Sequence, residues 1–403
     1  MSSHTSSGKI ALLVWGLKGG SLANYAAALL RGFWDNGERD LYVFYIAEGP
    51  GSHIQIPEGV TLIPLGAKRS RWMPLALAKR LREVQPDYLI SISAFINFPA
   101  ILGWLLAGKG SAKLIVSQHS TMSYKAYVEH TRDLKVRLQP WLARLMYPLA
   151  TGLHANSEAV LADLLETVRV PMPVHRTIAT PNPVNLSAIQ TYSRQAPNHP
   201  WLIDKDLPVI LSVGRLAQQK NFPKLLAAFA QVRRQQPCRL IILGEGPERS
   251  ALEQAITKAK LQDWVSLPGF TPNPWCCMAA ADVFVLSSEE EPFGLVLVEA
   301  MAAGTPIVAT DALGGGPKSV LAGGQYGRLV PPDDTEALAH ALLEVLQSPQ
   351  ERAQLVADGY QRCAAFQPTV IAQQWLAFLR QLSSTGQEGA SRSTAASQLG
   401  RSP

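Results

Sequence analysis

The sequence predicts an α/β fold with two doubly wound parallel sheets, one in each half of the chain. Short apolar runs bounded by polar residues alternate with helix-like segments, and after a polar interruption the same alternation starts again: IALLVW, LYVFYIA, VTLIPLG, DYLISIS, KLIVSQHS and GLHANS come first, then PVILSVG, RLIILGEG, WVSLPGF, DVFVLSS and PIVATD. Continuous apolar runs are typical of parallel strands buried on both faces. The 403 residues, 47% of them apolar, suffice for two domains that each have a core.

The domain boundaries follow from shifts in composition along the chain. We predict a first Rossmann-like domain over 9–185, a polar linker containing Pro and Gln over 186–207, and a second domain over 208–366. A C-terminal helix over 367–382 is expected to pack back toward the first domain. The Ser-, Gly- and Ala-rich segment 383–403 is predicted to be a disordered tail.

Composition excludes several classes of protein. The 37 basic and 31 acidic residues give a net charge of +6, a mild excess that suits phosphates or lipid headgroups, and no nucleic-acid-binding signature appears. The longest apolar window, 94–108, is shorter than the ~20 residues of a spanning helix, and the polar N-terminus does not resemble a signal peptide. The four cysteines form no CxxC pair or zinc pattern. We therefore expect a cytoplasmic protein without a structural metal.

The stretch from Asp282 to Asp311 predicts a ligand site. It reads as strand, loop, helix and strand, with Glu291 in the loop and Glu299 on the helix that Gly304 ends. Ligands of open α/β sheets bind beyond the carboxyl ends of the strands, where helix N-termini present free N–H groups. A single acid there is explained by helix capping. Two acids eight positions apart favour a ligand with both phosphate and hydroxyl groups.

Other candidate residues also follow predicted strands, and each has a structural alternative. Arg215 and Lys220 follow PVILSVG and suit a diphosphate, although surface salt bridges would be the favoured explanation without the acids downstream. Gly19 and Gly20 lie between the first strand and the first helix, where glycine serves either an anion or the turn itself. His119 ends KLIVSQHS, a position that is more often structural than catalytic.

Two basic, apolar-rich stretches, 68–82 and 131–149, lie in the first half. The second contains Arg132, Lys135, Arg137 and Arg144 among Leu residues and Trp141. One interpretation is a solvated helix face above a buried apolar face, and the other is a helix at a membrane surface. A peripheral, salt-dependent contact with anionic lipid follows from the second interpretation.

The motifs taken together resemble a known family over about Lys9 to Leu382. They are GLKGG before the first helix, His119, ANSE at 155–158, PNPV at 181–184, VGRLAQQK at 213–220, LGEGP at 243–247 and EPFGLVLVE at 291–299. Their order and spacing resemble the family-4 retaining glycosyltransferases, which have the two-domain GT-B fold with a cleft between the domains. The last segment is similar to the family's E-x7-E motif. The TD…GPK run followed by LVPP resembles a branch that builds bacterial cell-surface polysaccharides and glycolipids.

The resemblance implies a role for each matching residue. Arg215 and Lys220 would hold the donor diphosphate, Glu299 would bind the ribose hydroxyls, and Glu291 would face the donor sugar or phosphate. His119 would contact the transferred sugar, which makes His119 and Glu291 the implied catalytic residues. Backbone groups complete the implied sites: Phe293, Gly294 and Leu295 for the donor, Gly19 and Gly20 for the acceptor and phosphate.

The sequence departs from the family pattern at two places. Pro292 stands where the family usually has Gly, and Lys318 or Ser319 where it usually has Glu. Proline is tolerated at a helix start. The second departure affects the donor-side loop and therefore the identity of the sugar.

The implied activity is retaining transfer of a sugar from a nucleotide-sugar donor, expected to be a UDP-sugar, to a glycan or lipid-linked acceptor, without a metal or other cofactor. No paired-acid metal motif is present in the sequence. The alternatives are a nucleotide-sugar epimerase or hydrolase of the same fold and a non-catalytic nucleotide-sugar binder. An NAD-dependent oxidoreductase is a further alternative, but GEGPER has Arg249 where the third glycine of the dinucleotide fingerprint belongs.

Overall fold

The computed structural model describes residues 7–47, 49, 51, 54–67, 70–108, 110, 112–129 and 132–399, without the side chains of 70 and 385–399. The chain divides into two compact units. One comprises Met1–Pro183 with Pro368–Pro403, and the other comprises Val184–Gln367. The last helix therefore belongs with the N-terminal part of the chain.

The first unit contains a parallel seven-stranded sheet of order β3-β2-β1-β4-β5-β6-β7. In register, Ile10 lies between Leu41 and Tyr88. Five of the strands are largely buried apolar runs, as a sheet covered on both faces requires, whereas the two edge strands are partly exposed. The strands are β1 (Ile10–Val14), β2 (Leu41–Tyr45), β3 (Thr61–Pro64), β4 (Tyr88–Ile92), β5 (Lys113–Gln118), β6 (Gly152–Ala155) and β7 (Thr177–Ala179).

Helices connect these strands and cover the sheet. They are α1 (Ser21–Asp35), α2 (Met73–Val84), α3 (Ala94–Ala107), α4 (Met122–Tyr124), α5 (Leu134–Arg137), α6 (Gln139–Met146) and α7 (Glu158–Ala162). Helix α3 contains most of the longest apolar window. Its Ile96, Ile101 and Trp104 are buried in the core, as expected for a helix packed on the sheet. In the described part of the chain, no helix is long and apolar enough to cross a membrane.

The last helix of the chain, α17 (Pro368–Leu399), packs against α1. Ile371, Trp375 and Leu379 are fully buried in the same core cluster as Leu29 and Phe33 of α1. Gly32 allows the close approach, because a Cβ there would lie 2.1 Å from the Pro368 carbonyl oxygen. The helix continues past Leu382 into the segment predicted to be a disordered tail, of which 400–403 lie outside the described residues.

The second unit contains a parallel six-stranded sheet of order β10-β9-β8-β11-β12-β13. Its strands are β8 (Val209–Val213), β9 (Arg239–Leu243), β10 (Val265–Gly269), β11 (Val283–Leu286), β12 (Ile307–Thr310) and β13 (Arg328–Val330). Its helices are α8 (Leu186–Tyr192), α9 (Pro200–Ile203), α10 (Phe222–Gln235), α11 (Arg249–Lys258), α12 (Trp275–Ala280), α13 (Leu295–Ala302), α14 (Gly316–Val320), α15 (Thr335–Gln347) and α16 (Pro349–Cys363).

The segment 186–207 differs from the linker that its composition suggested. It forms α8 and α9, and their Ile189 and Leu202 are buried in the core of the second unit. The side chain of Asn185 caps α8 by accepting a hydrogen bond from the Ala188 amide. One apolar residue per short helix was too weak a pattern to separate these helices from a linker. The three-residue edge strands β7 and β13 also escaped the sequence prediction.

Candidate functional site

The donor-side candidates lie on a loop between β11 and α13. Residues 287–294 form this loop, and α13 begins at Leu295 after Gly294, whose φ is 83°. Such a left-handed conformation strongly favours glycine. Helix α13 buries most of its surface, and no described side chain caps its N-terminus. The first N–H groups of α13 therefore adjoin the loop that carries Glu291.

Hydrogen bonds from two neighbouring segments hold this loop. The Glu289 amide donates to the Gln219 carbonyl at 2.8 Å, and the Ser287 hydroxyl donates to the Lys220 carbonyl at 2.9 Å. On the other side, the Glu291 amide donates to the Leu313 carbonyl at 2.7 Å. These bonds bring the segment after β8 and the segment after β12 to the same loop.

Lys220 and Glu291 form an ion pair. The Lys220 ammonium donates to the Glu291 carboxylate, and the side chains are only 18% and 12% exposed. Arg215 is exposed and makes no ion pair or hydrogen bond among the described residues. The salt-bridge alternative therefore describes Lys220 but not Arg215, whose guanidinium is available to an anion from solution.

Glu299 lies on α13 and is partly buried. Burial raises the pKa of its carboxyl group to about 7, and the nearby Trp275 indole opposes this shift. A carboxyl group with such a pKa changes charge near neutral pH. Trp275, at the start of α12, was not identified from the sequence, because nothing in its local pattern connects it to a residue 24 positions later.

Close backbone contacts pack the loops of this unit. A Cβ at Gly244 would lie 1.9 Å from the Gly214 carbonyl oxygen, and a Cβ at Gly246 would lie 2.3 Å from the Leu216 carbonyl oxygen. A Cβ at Gly316 would lie 2.5 Å from the Glu291 carbonyl oxygen. These positions require glycine because a side chain would have no room. Gly244 and Gly246 of the LGEGP motif therefore pack against the segment that carries Arg215.

The two departures from the family pattern now have positions in the structure. Pro292 lies in the loop before α13. Lys318, on α14, lies 3.8 Å from a carboxylate oxygen of Asp311. Arg249, in the partial glycine fingerprint, is bound at 2.7 Å and 2.9 Å to Glu245 and at 2.9 Å to Glu253. Arg249 therefore holds Glu245 and Glu253 together at the start of α11.

The first unit carries the other candidates. Gly19 and Gly20 are exposed between β1 and α1, and Gly20 has a φ of 92° immediately before the helix. A Cβ at Gly20 would meet no atom within 4 Å. The backbone conformation, and not a shortage of space, therefore explains glycine at this position.

His119 follows β5 and belongs to a chain of hydrogen bonds. Its Nε2 lies 2.8 Å from the Ser117 hydroxyl, which lies 2.6 Å from Nδ1 of His154. Nε2 of His154 lies 2.8 Å from the Thr180 hydroxyl. Strand register explains the contact, because Ser117 of β5 pairs with His154 of β6. The Tyr25 ring packs on His119 at a centroid distance of 4.4 Å.

Both histidines are held neutral. Burial lowers the pKa of His119 to about 4, although the Asn182 side chain opposes the shift. Burial and the neighbouring His119 lower the pKa of His154 well below its usual value. His154, Ser117 and Tyr25 were not identified from the sequence. The signal was a histidine in the middle of the otherwise apolar β6, opposite a serine on the neighbouring strand.

In the described part of the chain, no group of three or more His, Cys, Asp or Glu side chains is arranged to hold a metal ion. The four cysteines are buried and unpaired. Burial raises the pKa of the Cys238 and Cys363 thiols to about 12, so these residues are inert core groups.

Two parallel Rossmann-like sheets, the second with an acid-bearing loop at the carboxyl ends of its strands, define the GT-B class of glycosyltransferase. The family model "Glycosyl transferases group 1" matches residues 194–362, and "Glycosyltransferase Family 4" matches residues 22–188. The chain belongs to glycosyltransferase family 4.

The chain is similar to curated bacterial enzymes. It is 28% identical, over 71% of this chain and 74% of the relative, to N-acetylgalactosamine-N,N'-diacetylbacillosaminyl-diphospho-undecaprenol 4-alpha-N-acetylgalactosaminyltransferase of Campylobacter jejuni. It is 33% identical to the lipopolysaccharide core biosynthesis glycosyltransferase LpsE of Rhizobium meliloti, over 39% and 44% of the two chains. It is 36% identical to phosphatidyl-myo-inositol mannosyltransferase of Mycolicibacterium smegmatis, over 41% and 40%. The last two matches span less than half of those relatives.

Solved structures share the fold. HepE of Anabaena, in complex with UDP and glucose, superposes with a TM-score of 0.71 at 22% identity, covering 93% of this chain and 99% of HepE. Sucrose-phosphate synthase from Thermosynechococcus elongatus gives 0.72 at 24% identity, covering 94% and 99%. At these identities the likeness establishes the fold alone.

Proposed function

We propose that this protein is a retaining, metal-independent glycosyltransferase that moves a sugar from a UDP-sugar to a glycan or lipid-linked acceptor in cell-surface polysaccharide or glycolipid synthesis. The observation that carries the proposal is the loop 287–294, where the Lys220–Glu291 pair adjoins the N-terminus of α13 and Glu299 lies on the same helix. A nucleotide sugar needs cations for its diphosphate and carboxylates for its hydroxyls, and both kinds of group are present here.

Each donor-side residue has a proposed role. Arg215 and Lys220 bind the diphosphate, with Arg215 as the exposed cation that the donor engages. The backbone of Phe293, Gly294 and Leu295 lines the donor at the helix start. Glu291 orients Lys220 and faces the sugar, and Glu299 accepts hydrogen bonds from the ribose hydroxyls.

The first unit supplies the proposed acceptor-side groups. Gly19 and Gly20 border the acceptor and phosphate. His119 contacts the transferred sugar as a neutral imidazole, consistent with its lowered pKa. A neutral ring serves as a hydrogen-bond partner for a hydroxyl.

The chemistry is stabilisation of a leaving group. Breaking the sugar–phosphate bond leaves negative charge on the diphosphate, and fixed cations and helix N–H groups aimed at that charge lower the barrier. In this proposal Arg215 and Lys220 take the part that a metal ion plays in other transferases. Retention at the anomeric carbon requires either attack from the face that the diphosphate leaves or a covalent intermediate.

The acceptor proposal draws on the Campylobacter relative, whose name gives an undecaprenol-linked acceptor. We propose that this chain works peripherally at the cytoplasmic face of a membrane, with an acceptor of that lipid-linked class. The basic stretch 68–82 contributes Arg71, Lys79, Arg80 and Arg82, while Lys68 and Arg69 lie outside the described residues. Lys79 and Arg80 also form ion pairs with Glu83.

A thermal-shift screen of nucleotide sugars tests the donor, because a ligand that binds only the folded protein raises its apparent stability. Incubation of the best donor with and without lipid-linked acceptors follows, with NMR of the fresh product and a parallel reaction containing EDTA. Transfer with a retained anomer and undiminished activity in EDTA is expected. An inverted product overturns the retaining mechanism, and loss of activity that Mg²⁺ restores overturns metal independence.

The same incubations separate the alternatives. An epimerase or hydrolase changes the donor without any acceptor, whereas a non-catalytic binder gives a thermal shift and no product. The three curated relatives described above are named as transferases, and this does not favour either alternative.

A further inference from the structure

Helices α5 and α6 expose an apolar stripe. Leu138 joins the two helices in a helical conformation, so that 134–149 forms an almost continuous helical segment with its final 3₁₀ turn. Its exposed apolar residues recur at i, i+4, i+7, i+11 and i+15, which is one face at about 3.6 residues per turn. They are Leu134 (65% exposed), Leu138 (46%), Trp141 (58%), Leu145 (54%) and Leu149 (42%).

The segment also has a conventional buried face. Pro140, Ala143 and Tyr147 are buried, and Tyr147 bonds to Asn97 of α3 at 3.1 Å. The apolar stripe is therefore additional to the face that packs on the protein. The expectation of a solvated face above a buried apolar face does not describe this segment, since the solvated face is itself apolar.

Cations flank the stripe on both sides. At about 3.6 residues per turn, Arg137 and Arg144 fall on one side of it and Lys135 on the other. All three are exposed, and 134–149 contains no Asp or Glu. An apolar strip between cations is complementary to a bilayer surface whose acyl region lies beneath anionic headgroups.

In the first unit, helix α3 also exposes an apolar row, Phe95, Leu102 and Leu106 at i, i+7 and i+11, but 94–107 contains no Lys or Arg that would flank it. In the second unit, the exposed large apolar residues among the described ones are Tyr192, Ile203, Phe270, Leu313 and Tyr360, which lie on separate elements. Single exposed apolar residues are ordinary on protein surfaces, whereas a contiguous strip marks an interaction site.

We propose that the face formed by Leu134, Leu138, Trp141, Leu145 and Leu149 inserts into the headgroup region of an anionic bilayer, with Lys135, Arg137 and Arg144 bound to lipid phosphates. The assignment gives the peripheral membrane association of the proposed function a defined surface, and it rests on that function for its biological purpose. The contact itself requires no donor or acceptor.

Flotation with vesicles of phosphatidylglycerol and phosphatidylethanolamine, without substrates, tests the surface. Leu138→Gln/Trp141→Gln should lower vesicle binding at least about ten-fold at every salt concentration. Lys135→Gln/Arg137→Gln/Arg144→Gln should lower binding to anionic vesicles at low salt and leave little residual salt dependence. The matched control Val174→Gln/Phe270→Gln removes two side chains that are 79% and 77% exposed elsewhere, and it should bind like the wild type.

Wild-type binding by the Leu138→Gln/Trp141→Gln variant overturns the assignment. A second result would also overturn it: the wild type does not float with vesicles, forms a dimer in lipid-free buffer, and becomes monomeric when Leu138 and Trp141 are replaced. The stripe would then join two copies of the protein. Failure of the enzymatic proposal is distinguishable. If the protein transfers sugar to a detergent-solubilised acceptor but the Leu138→Gln/Trp141→Gln variant floats like the wild type, only the proposed membrane surface is refuted. If flotation depends on the stripe but no sugar is transferred, only the proposed activity is refuted.

Discussion

His119 and His154 are joined through one hydroxyl group. The Ser117 oxygen lies 2.8 Å from His119 Nε2 and 2.6 Å from His154 Nδ1, and the two ring centroids are 5.8 Å apart. The hydroxyl has a single proton, so it donates to one ring and accepts from the other when both rings are neutral. Nε2 of His154 lies 2.8 Å from the Thr180 hydroxyl, so the two rings, Ser117 and Thr180 form one continuous hydrogen-bonded chain in which the proton position on one ring is coupled to that on the other.

The first prediction concerns the hydrogen bonds that join His119 and His154 through Ser117. Ser117→Ala should lower kcat roughly ten-fold, equivalent to about 1.4 kcal/mol, because His119 loses the bond that fixes its tautomer and orientation. The affinity for UDP should not change, since the proposed nucleotide contacts lie in the second unit. The control is Ser91→Ala, a buried serine on β4 without a hydrogen-bond partner among the described residues. Equal kcat values for both variants would contradict the proposed positioning.

The second prediction is a stability loss in acid. The pKa of His119 is about 4 when folded and 6.5 ordinarily, so the unfolded chain binds a proton that the folded chain excludes. The free energy of unfolding is therefore unaffected by the protonation of this residue above pH 6.5. As the pH falls from 6.5 toward 4, it decreases by at most about 3 kcal/mol. Urea denaturation across this range should show a shallower pH dependence for His119→Gln than for the wild type. The control for the substitution itself is His340→Gln, at a histidine whose side chain is 74% exposed.

The third prediction concerns Glu299. Its pKa is about 7, so the affinity for UDP should rise as pH increases from 6 to 8 if the carboxylate binds ribose hydroxyls. Glu299→Gln should weaken binding and abolish this pH dependence, as calorimetry would show. A raised pKa also means that ionisation costs stability as pH rises from 4.5 through 7, and the amide avoids this cost. A variant that gains stability at pH 8 but binds UDP normally would make Glu299 a structural residue.

The fourth prediction separates the two donor-side cations. Arg215→Ala should weaken UDP binding by about 1.5–3 kcal/mol with unchanged stability, because Arg215 has no partner among the described residues. Lys220→Ala should weaken binding and also destabilise the protein by about 1–3 kcal/mol, because Glu291 loses its partner in a partly buried place. Arg234→Ala, at an exposed arginine at the end of α10, is the control. Wild-type UDP affinity in both the Arg215 and Lys220 variants would refute the diphosphate role.

The fifth prediction tests the packing of the acid-bearing loop. Gly316→Ala places a methyl group 2.5 Å from the Glu291 carbonyl oxygen, and it should cost about 1–3 kcal/mol of unfolding free energy. At Gly214 the atoms nearest to the added methyl would be those of the Lys220 side chain, at 3.7 Å, which is ordinary van der Waals contact. Gly214→Ala should therefore retain wild-type stability in the same denaturation experiment. Equal stability of the two variants would show that the loop can move away from Gly316.

The sequence by itself determined the two parallel sheets and the acid-bearing loop. Parallel strands buried on both faces appear in the sequence as apolar runs, and the loop between β11 and α13 is a single continuous segment. Both can therefore be predicted without tertiary information. The ion pair between Lys220 and Glu291 could not be predicted from the sequence. It joins residues 71 positions apart, and only the hydrogen bonds that bring the two loops together decide it.

The difference between local pattern and tertiary contact also explains where the sequence predictions differ from the structure. Residues 186–207 looked like a linker because each short helix buries about one apolar residue, which gives no period to detect. In 131–149 the mixture of basic residues with Leu and Trp141 predicted a helix, but that pattern alone does not say which face the core covers. The packing of Pro140, Ala143 and Tyr147 turned the other apolar stripe outward. Tertiary structure decided its exposure, because only the competing burial of a second face shows which apolar stripe the protein leaves uncovered.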